Sequence, residues 1–234
     1  MEGWLTKLLF ALIPGTCILC EARTHRDLDL CVDCESNLPR VAHPCRGCGL
    51  PLGTPAPLCG RCIVSPPPFE RCFAPFVYAW PIDRLVNDFK NHNHIILGKM
   101  LAHAMARAYV EETEIGQFPD TLVPVPLHKR RLRARGFNQS LEIAEVLADA
   151  SNARLDNRLC RRVKDAPPQK SLTARQRRQN LRGAFVLDRI PYGEHIAVVD
   201  DVITTAATVS EICRLLLAHG AMRVEVIALA RTLR

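Results

Sequence analysis

Apolar and polar positions follow two rhythms along this chain. Residues 196–199, Ile-Ala-Val-Val, are a short apolar run rich in β-branched residues that ends at two acids, Asp200 and Asp201. A small, hydroxyl-rich stretch follows, after which Val209, Ile212, Cys213 and Leu216 recur at helical spacing, and Gly220 stands where a left-handed C-cap is expected. The pattern predicts a strand, an acidic edge, a loop and a helix. Upstream, Leu85, Val86 and Phe89 predict a helix over 83–90, and the breaker-poor stretch 95–110 predicts a longer one. Residues 122–126, Leu-Val-Pro-Val-Pro, predict a first parallel strand whose prolines turn it into a loop over 128–136. Leu141, Ala144 and Ala148 mark the inner stripe of a helix over 137–150. Residues 73–80 read as a strand interrupted at Pro75, and further strands are expected near 155–162, 184–187 and 223–230, with a short tail from Arg231. Strands alternating with helices predict an α/β domain with a doubly wound, mostly parallel sheet. Ligands of such sheets bind at the carboxyl ends of the strands.

The first part of the chain has a different pattern, an internal repeat of cysteines. Cys17 and Cys20 are followed after ten residues by Cys31 and Cys34; Cys45, Cys48, Cys59 and Cys62 repeat the set 28 positions later. Two C-x₂-C turns bring four thiolates to one tetrahedral ion, so the eight cysteines predict two Cys₄ zinc sites, and the arrangement resembles a double zinc ribbon. The pairing is either sequential or interleaved. No histidine, carboxylate or open position enters the pattern, so the metal is expected to be structural. A redox role for C-x-x-C would not need four copies. The prolines at 66–68 are a stiff linker. They place a boundary between a helix and ribbon module, 1–65, and an α/β domain, 66–234.

Before the ribbons, Trp4, Leu5, Leu8, Leu9 and Leu12 share one helical face. That face packs on its own protein or makes a peripheral contact with a membrane or partner. The apolar stretch 8–13 is too short to span a bilayer and no A-x-A-like site follows it. A reducing cytoplasm is the expected compartment, with a peripheral position at the inner face of the membrane as the alternative. The net charge of +7 over 234 residues favours anionic partners such as nucleic acid, phosphorylated ligands or lipid.

The candidate chemistry lies at the acidic edge. No Walker lysine and no G-x-G-x-x-G accompany it. Carboxylates one turn before a phosphate-binding loop suit a sugar phosphate: Asp200 and Asp201 accept from ribose hydroxyls or approach Mg²⁺, and Thr204, Thr205, Ala206, Ala207 and Thr208 receive the phosphate at a helix N-terminus. The bland alternative is an Asp-Asp strand end in another doubly wound fold. Lys90 closes an apolar helical face and is placed to reach a pyrophosphate or to stand exposed. Two basic segments follow, one with Lys129, Arg130, Arg131, Arg133 and Arg135, the other with Arg161, Arg162 and Arg177. They contact pyrophosphate, track a nucleic-acid backbone, or form a solvated surface. His92, His94 and His103 are expected to be structural or solvated rather than metal ligands.

Residues 198–208 resemble the phosphoribosyl pyrophosphate (PRPP) motif of type I phosphoribosyltransferases, with Ala206 where that family usually has glycine. The run V-P-V-P-L-H-x-x-R-L-x-x-R-G-F-N-Q from Val123 to Gln139, with Arg131 at its first arginine, resembles the ComF and GntX family. So does the later pattern of Pro168, Gln169, Leu172, Arg177, Asn180, Gly183, Ala184 and Phe185. The resemblance covers the chain in order. It implies zinc ribbons joined to a phosphoribosyltransferase-like domain that binds PRPP with Mg²⁺. It also implies a role in handling incoming single-stranded DNA, in natural transformation or DNA utilisation, and whether the domain turns over is left open. Two alternatives remain: a PRPP-responsive module that binds nucleic acid or a helicase-like competence partner, and a salvage phosphoribosyltransferase for a free base.

Overall fold

The computed structural model describes residues 15–26, 28–91, 94–114, 116–165 and 181–233. The N-terminal helix expected around Trp4, His92, Arg177 and most of the second basic segment lie outside these residues. The chain divides into two compact units, Met1–Pro39 and Arg40–Arg234. The second cysteine set therefore shares a unit with the α/β domain, and the division falls ahead of the boundary expected near 65.

In the smaller unit, β1 (Gly15–Thr16) pairs antiparallel with β2 (Arg23–Thr24), and α1 (Val32–Ser36) follows Cys31. The larger unit begins with the second ribbon, closed by α2 (Gly60–Val64). Then come β3 (Cys72–Phe73), β4 (Phe76–Val77), α3 (Ile82–Asn91), α4 (Ile95–Glu112) and β5 (Thr121–Pro124). They are followed by α5 (Lys129–Arg135), α6 (Gln139–Ser151), β6 (Arg154–Leu155), β7 (Cys160–Arg162), β8 (Phe185–Leu187), β9 (His195–Ile203), α7 (Ala207–Ala218) and β10 (Arg223–Arg231).

The strand order is β3-β10-β9-β5-β6, with β4 also on β10, and every pairing in this six-stranded sheet is parallel. The central strands β9 and β10 are continuous apolar runs because both of their faces are covered. On one face Val209, Ile212, Cys213 and Leu216 of α7 pack with Ile196, Val198, Val224 and Val226. On the other, α6 lies over β5 and β9 and packs against α4. This is the doubly wound α/β arrangement expected. No helix among the described residues is long and apolar enough to cross a membrane.

Two expectations need correction. The basic stretch 128–136 is not a loop: Lys, Arg, Leu and Ala favour helix, the His128 ring accepts from the Arg130 N–H at 3.3 Å, and Gly136 ends the turn at φ 86°. Arg231 is not the start of a tail but the buried last residue of β10. The strands expected near 155–162 and 184–187 are present, β6 on the edge of the sheet and β7 with β8 as a separate antiparallel pair.

Candidate functional site

Both cysteine sets gather sequentially rather than interleaved. Cys17, Cys20, Cys31 and Cys34 form one cluster and Cys45, Cys48, Cys59 and Cys62 the other, with all four sulfur atoms of each within 4.8 Å of one another. The Cys20–Cys31 and Cys48–Cys59 sulfur pairs are 3.7 and 3.8 Å apart. A tetrahedral ion with Zn–S bonds of about 2.3 Å needs edges of about 3.8 Å, so both clusters fit zinc. Backbone donors favour the thiolate at Cys17 and Cys45, whereas burial and the neighbouring thiols push Cys34 and Cys62 up. Burial opposes ionisation of Cys17, yet N–H groups of Cys31, Cys20 and Leu19 bring it down to about 6. In the second cluster burial likewise opposes ionisation of Cys45, and the Cys59 and Cys48 N–H groups bring it to about 7.

At the carboxyl edge of the sheet, β9 carries the acidic pair. Burial and the adjoining Asp201 carboxylate push Asp200 up to about 7, against the pull of the Asp201 N–H, Lys90 and the Ser140 hydroxyl. Ser140 Oγ donates to Asp200 Oδ1 at 3.1 Å. Lys90 Nζ stands 2.8 Å from Asp201 Oδ2, which brings the lysine at the end of α3 to the acidic edge. Beyond the pair, Thr204, Thr205, Ala206, Ala207 and Thr208 line an open cavity of about 50 Å³ that Asp200 also borders. Ala206 caps α7 in the left-handed conformation, φ 58° and ψ 9°. Glycine adopts that conformation freely and alanine does so at a cost. The unpaired N–H groups of the first helical turn face this end.

Local packing explains how Lys90 arrives. Phe89 sits beside Phe137 with ring centroids 5.4 Å apart. Gly98 of α4 makes room for Phe89: a Cβ there would lie 2.3 Å from the ring. Asn138 links the elements, its side chain donating to the Val125 carbonyl at 3.1 Å and accepting from the Ser140 N–H at 3.2 Å. The Asn138 cap therefore places Ser140 against Asp200.

These geometries have counterparts among known proteins. The family "Double zinc ribbon domain" matches residues 8–63. The chain is 37% identical over 230 residues to DNA utilization protein YhgH of Salmonella typhi, covering 94% of this chain and 99% of the relative. The protein of that name in Escherichia coli strain K12 is 35% identical over 233 residues, covering 98% and 96%. Competence protein F of Haemophilus influenzae is 33% identical over 226 residues, covering 92% and 96%. The chain belongs to the ComF family. Among solved structures it is similar to a hypoxanthine phosphoribosyltransferase of Staphylococcus aureus at a TM-score of 0.37 and 10% identity, over 57% of this chain and 62% of that one; so low a likeness carries no weight.

The run from Val123 to Gln139 that resembled ComF proteins folds as β5, α5 and the cap of α6. Lys129, Arg130, Arg131 and Arg133 are exposed on α5, and Arg135 is half-buried. Arg135 donates to Gln139 Oε1 at 2.6 Å. Burial lowers the Arg135 guanidinium; the Asp201 carboxylate opposes that shift and the Arg131 cation adds to it. Arg162 is lowered by burial and by the same Arg131, and Asp165 opposes the shift. Arg131, Arg135 and Arg162 therefore share one electrostatic neighbourhood with Asp201 and Asp165. Arg130 lies 3.6 Å from Asp165. Arg161 is committed elsewhere, to both oxygens of Asp188.

Ser140 and Arg231 were not marked by the sequence as site residues. Ser140 had a signal, since a hydroxyl two residues after an N-cap asparagine stays close to the preceding strand. Arg231 had none: its partners lie 183 and 27 positions away.

Proposed function

We propose that this ComF-family chain binds PRPP with Mg²⁺ at the carboxyl edge of its sheet and acts in the handling of single-stranded DNA. The observation that carries the reading is the acidic pair of β9 meeting Lys90 on one side and a helix-capping loop on the other. In this reading the loop 204–208 takes the 5′-phosphate on the N-terminal N–H groups of α7. Asp200 and Asp201 hold the ribose hydroxyls and the hydrated Mg²⁺. Mg²⁺ supplies charge neutralisation for the pyrophosphate. Lys90, Arg131 and Arg135 give that group cationic partners, and binding releases Lys90 from Asp201. Arg130, Arg133 and Lys129, exposed on α5, are left to contact a nucleic-acid backbone. The names of the relatives, DNA utilization protein and competence protein, support the DNA role. The net charge of +7 is in keeping with it. A reducing cytoplasm suits eight thiols held for zinc.

Two zinc ions per chain have a structural part: one holds the smaller unit together and the other fixes the second ribbon within the unit of the sheet. Titration of PRPP with Mg²⁺ into wild type and into the Asp200→Asn, Asp201→Asn double variant tests the site. Saturable binding by wild type alone supports it; equal binding by both shows that the residues are wrongly assigned. Whether PRPP is a substrate or a signal is decided by pyrophosphate release with each nucleobase. Release dependent on one base marks a transferase, and binding without release marks a PRPP-responsive module.

A further inference from the structure

We propose that Arg231 is a positioning residue for the phosphate loop. It joins the loop to the second Cys₄ cluster, so that zinc in that cluster and a phosphorylated ligand at residues 204–208 favour each other. The inference rests on the PRPP reading above.

Arg231 ends β10 and is 4% exposed. On one side its Nε donates to the carbonyl of Cys48, a residue of the second cluster, at 2.9 Å. On the other, Nη1 donates to the carbonyls of Ile203 at 3.0 Å and Thr204 at 2.7 Å. Nη1 also reaches the carbonyl and hydroxyl of Thr232 at 2.8 and 3.2 Å. All of these partners are neutral oxygens, and among the described residues no carboxylate pairs with this guanidinium. A buried cation without a counter-charge is costly. Four thiolates around Zn²⁺ leave that centre doubly negative, and a 5′-phosphate on the loop adds a second dianion. The cation is held between the two places, with one nitrogen on the backbone of a cluster cysteine and another on the first residue of the loop.

The planar guanidinium is a rigid spacer. By holding the Ile203 and Thr204 carbonyls it fixes the peptides that lead into Ala206, where the left-handed φ of 58° has to be kept. A cluster that holds its knuckle in place therefore holds the loop, and a loop closed on phosphate holds the knuckle. Thermodynamic linkage makes the two effects equal in size.

The test uses the full-length protein with both zinc ions. Zinc release to a colorimetric chelator is measured with and without PRPP and Mg²⁺. PRPP should reduce the release of one of the two ions by about 5-fold or more, the lower end of typical coupling between sites. Arg231→Met should bind two zinc ions, lose about 10-fold in PRPP affinity, and show release that no longer responds to PRPP. Arg231→Lys keeps the charge but cannot span both sides, and should lose most of the response; it also serves if Arg231→Met does not fold. A residue that merely supports the fold would change release in both conditions alike. PRPP binding by wild type with unchanged zinc release, or a full response in either variant, overturns this inference alone. No PRPP binding by wild type overturns the PRPP reading and this inference together.

Discussion

The two Cys₄ ribbons share one spacing and one sulfur geometry but differ in what their loops hold. The first is the centre of its own compact unit, where Arg26 pairs with Glu35 at 2.6 Å and donates to the Leu30 carbonyl at 3.1 Å. The second belongs to the unit of the parallel sheet. The Arg46 carbonyl accepts from the Cys72 N–H of β3 at 2.9 Å, the Cys48 carbonyl accepts from Arg231, and the Arg40 backbone bridges to Phe76 of β4. The repeat therefore encodes a metal geometry, and the residues around it decide which compact unit each copy belongs to. A duplicated motif can keep its ligands while one copy becomes part of the neighbouring domain.

The largest expected effect breaks this contrast directly. Cys59→Ser with Cys62→Ser removes zinc from the second cluster and should cost the sheet-containing unit more than about 4 kcal/mol, the range that marks loss of a metal site. Cys31→Ser with Cys34→Ser should unfold chiefly the smaller unit. Zinc content and urea unfolding followed by far-UV dichroism check both. Equal destabilisation of the sheet by the two pairs would abolish the distinction.

Next in size is the acidic edge. Asp200 keeps its proton up to about 7 in the folded chain, against an ordinary value of 3.8. The folded state therefore binds more protons than the unfolded chain between those values, and this group's contribution to stability falls as pH rises through that window. Asp200→Asn holds the neutral form throughout. It should flatten that slope and raise stability near neutral pH by about 1–2 kcal/mol, while abolishing binding of PRPP with Mg²⁺. Unfolding curves across pH, set beside calorimetric titration, would show a site kept at the expense of stability. A variant less stable than wild type near neutral pH would contradict the burial of charge.

Ala206→Gly relieves the left-handed alanine. It should stabilise the loop by about 1 kcal/mol and tighten PRPP binding about 5–10-fold, read by titration calorimetry. Smallest are the exposed arginines. Arg130→Ser with Arg133→Ser should weaken single-strand binding at low salt and lower the slope of log affinity against log salt by about one unit per residue that contacts phosphate. An unchanged slope would remove α5 from the nucleic-acid surface.

Legibility in the sequence followed the range of the determining contacts. The two sets of four cysteines and the strand, loop and helix around Asp200 to Thr208 were legible because they are local in sequence, though spacing left the pairing of the cysteines open. The sheet followed from apolar runs with β-branched residues. Helix α5 was read as a loop because the prolines before it and its charge density outweighed the helix-forming residues and the Gly136 cap. The compact-unit boundary at Pro39 was not legible, since the prolines at 66–68 mark a stiff segment but not how the second ribbon bonds to β3 and β10. Arg231 was missed for the same reason: its burial depends on the Cys48 and Thr204 carbonyls, which no local pattern brings to it.

The most direct measurement is a crystal structure of the full-length protein grown with PRPP and Mg²⁺. The expected result is a 5′-phosphate on the N–H groups of residues 205–208, ribose and metal at Asp200 and Asp201, and pyrophosphate against Lys90, Arg131 and Arg135. Zinc should occupy both clusters, with Arg231 still spanning Cys48 and Thr204. A ligand bound elsewhere, or a loop left empty beside a saturating ligand, would contradict the assignment of this edge as a sugar-phosphate site.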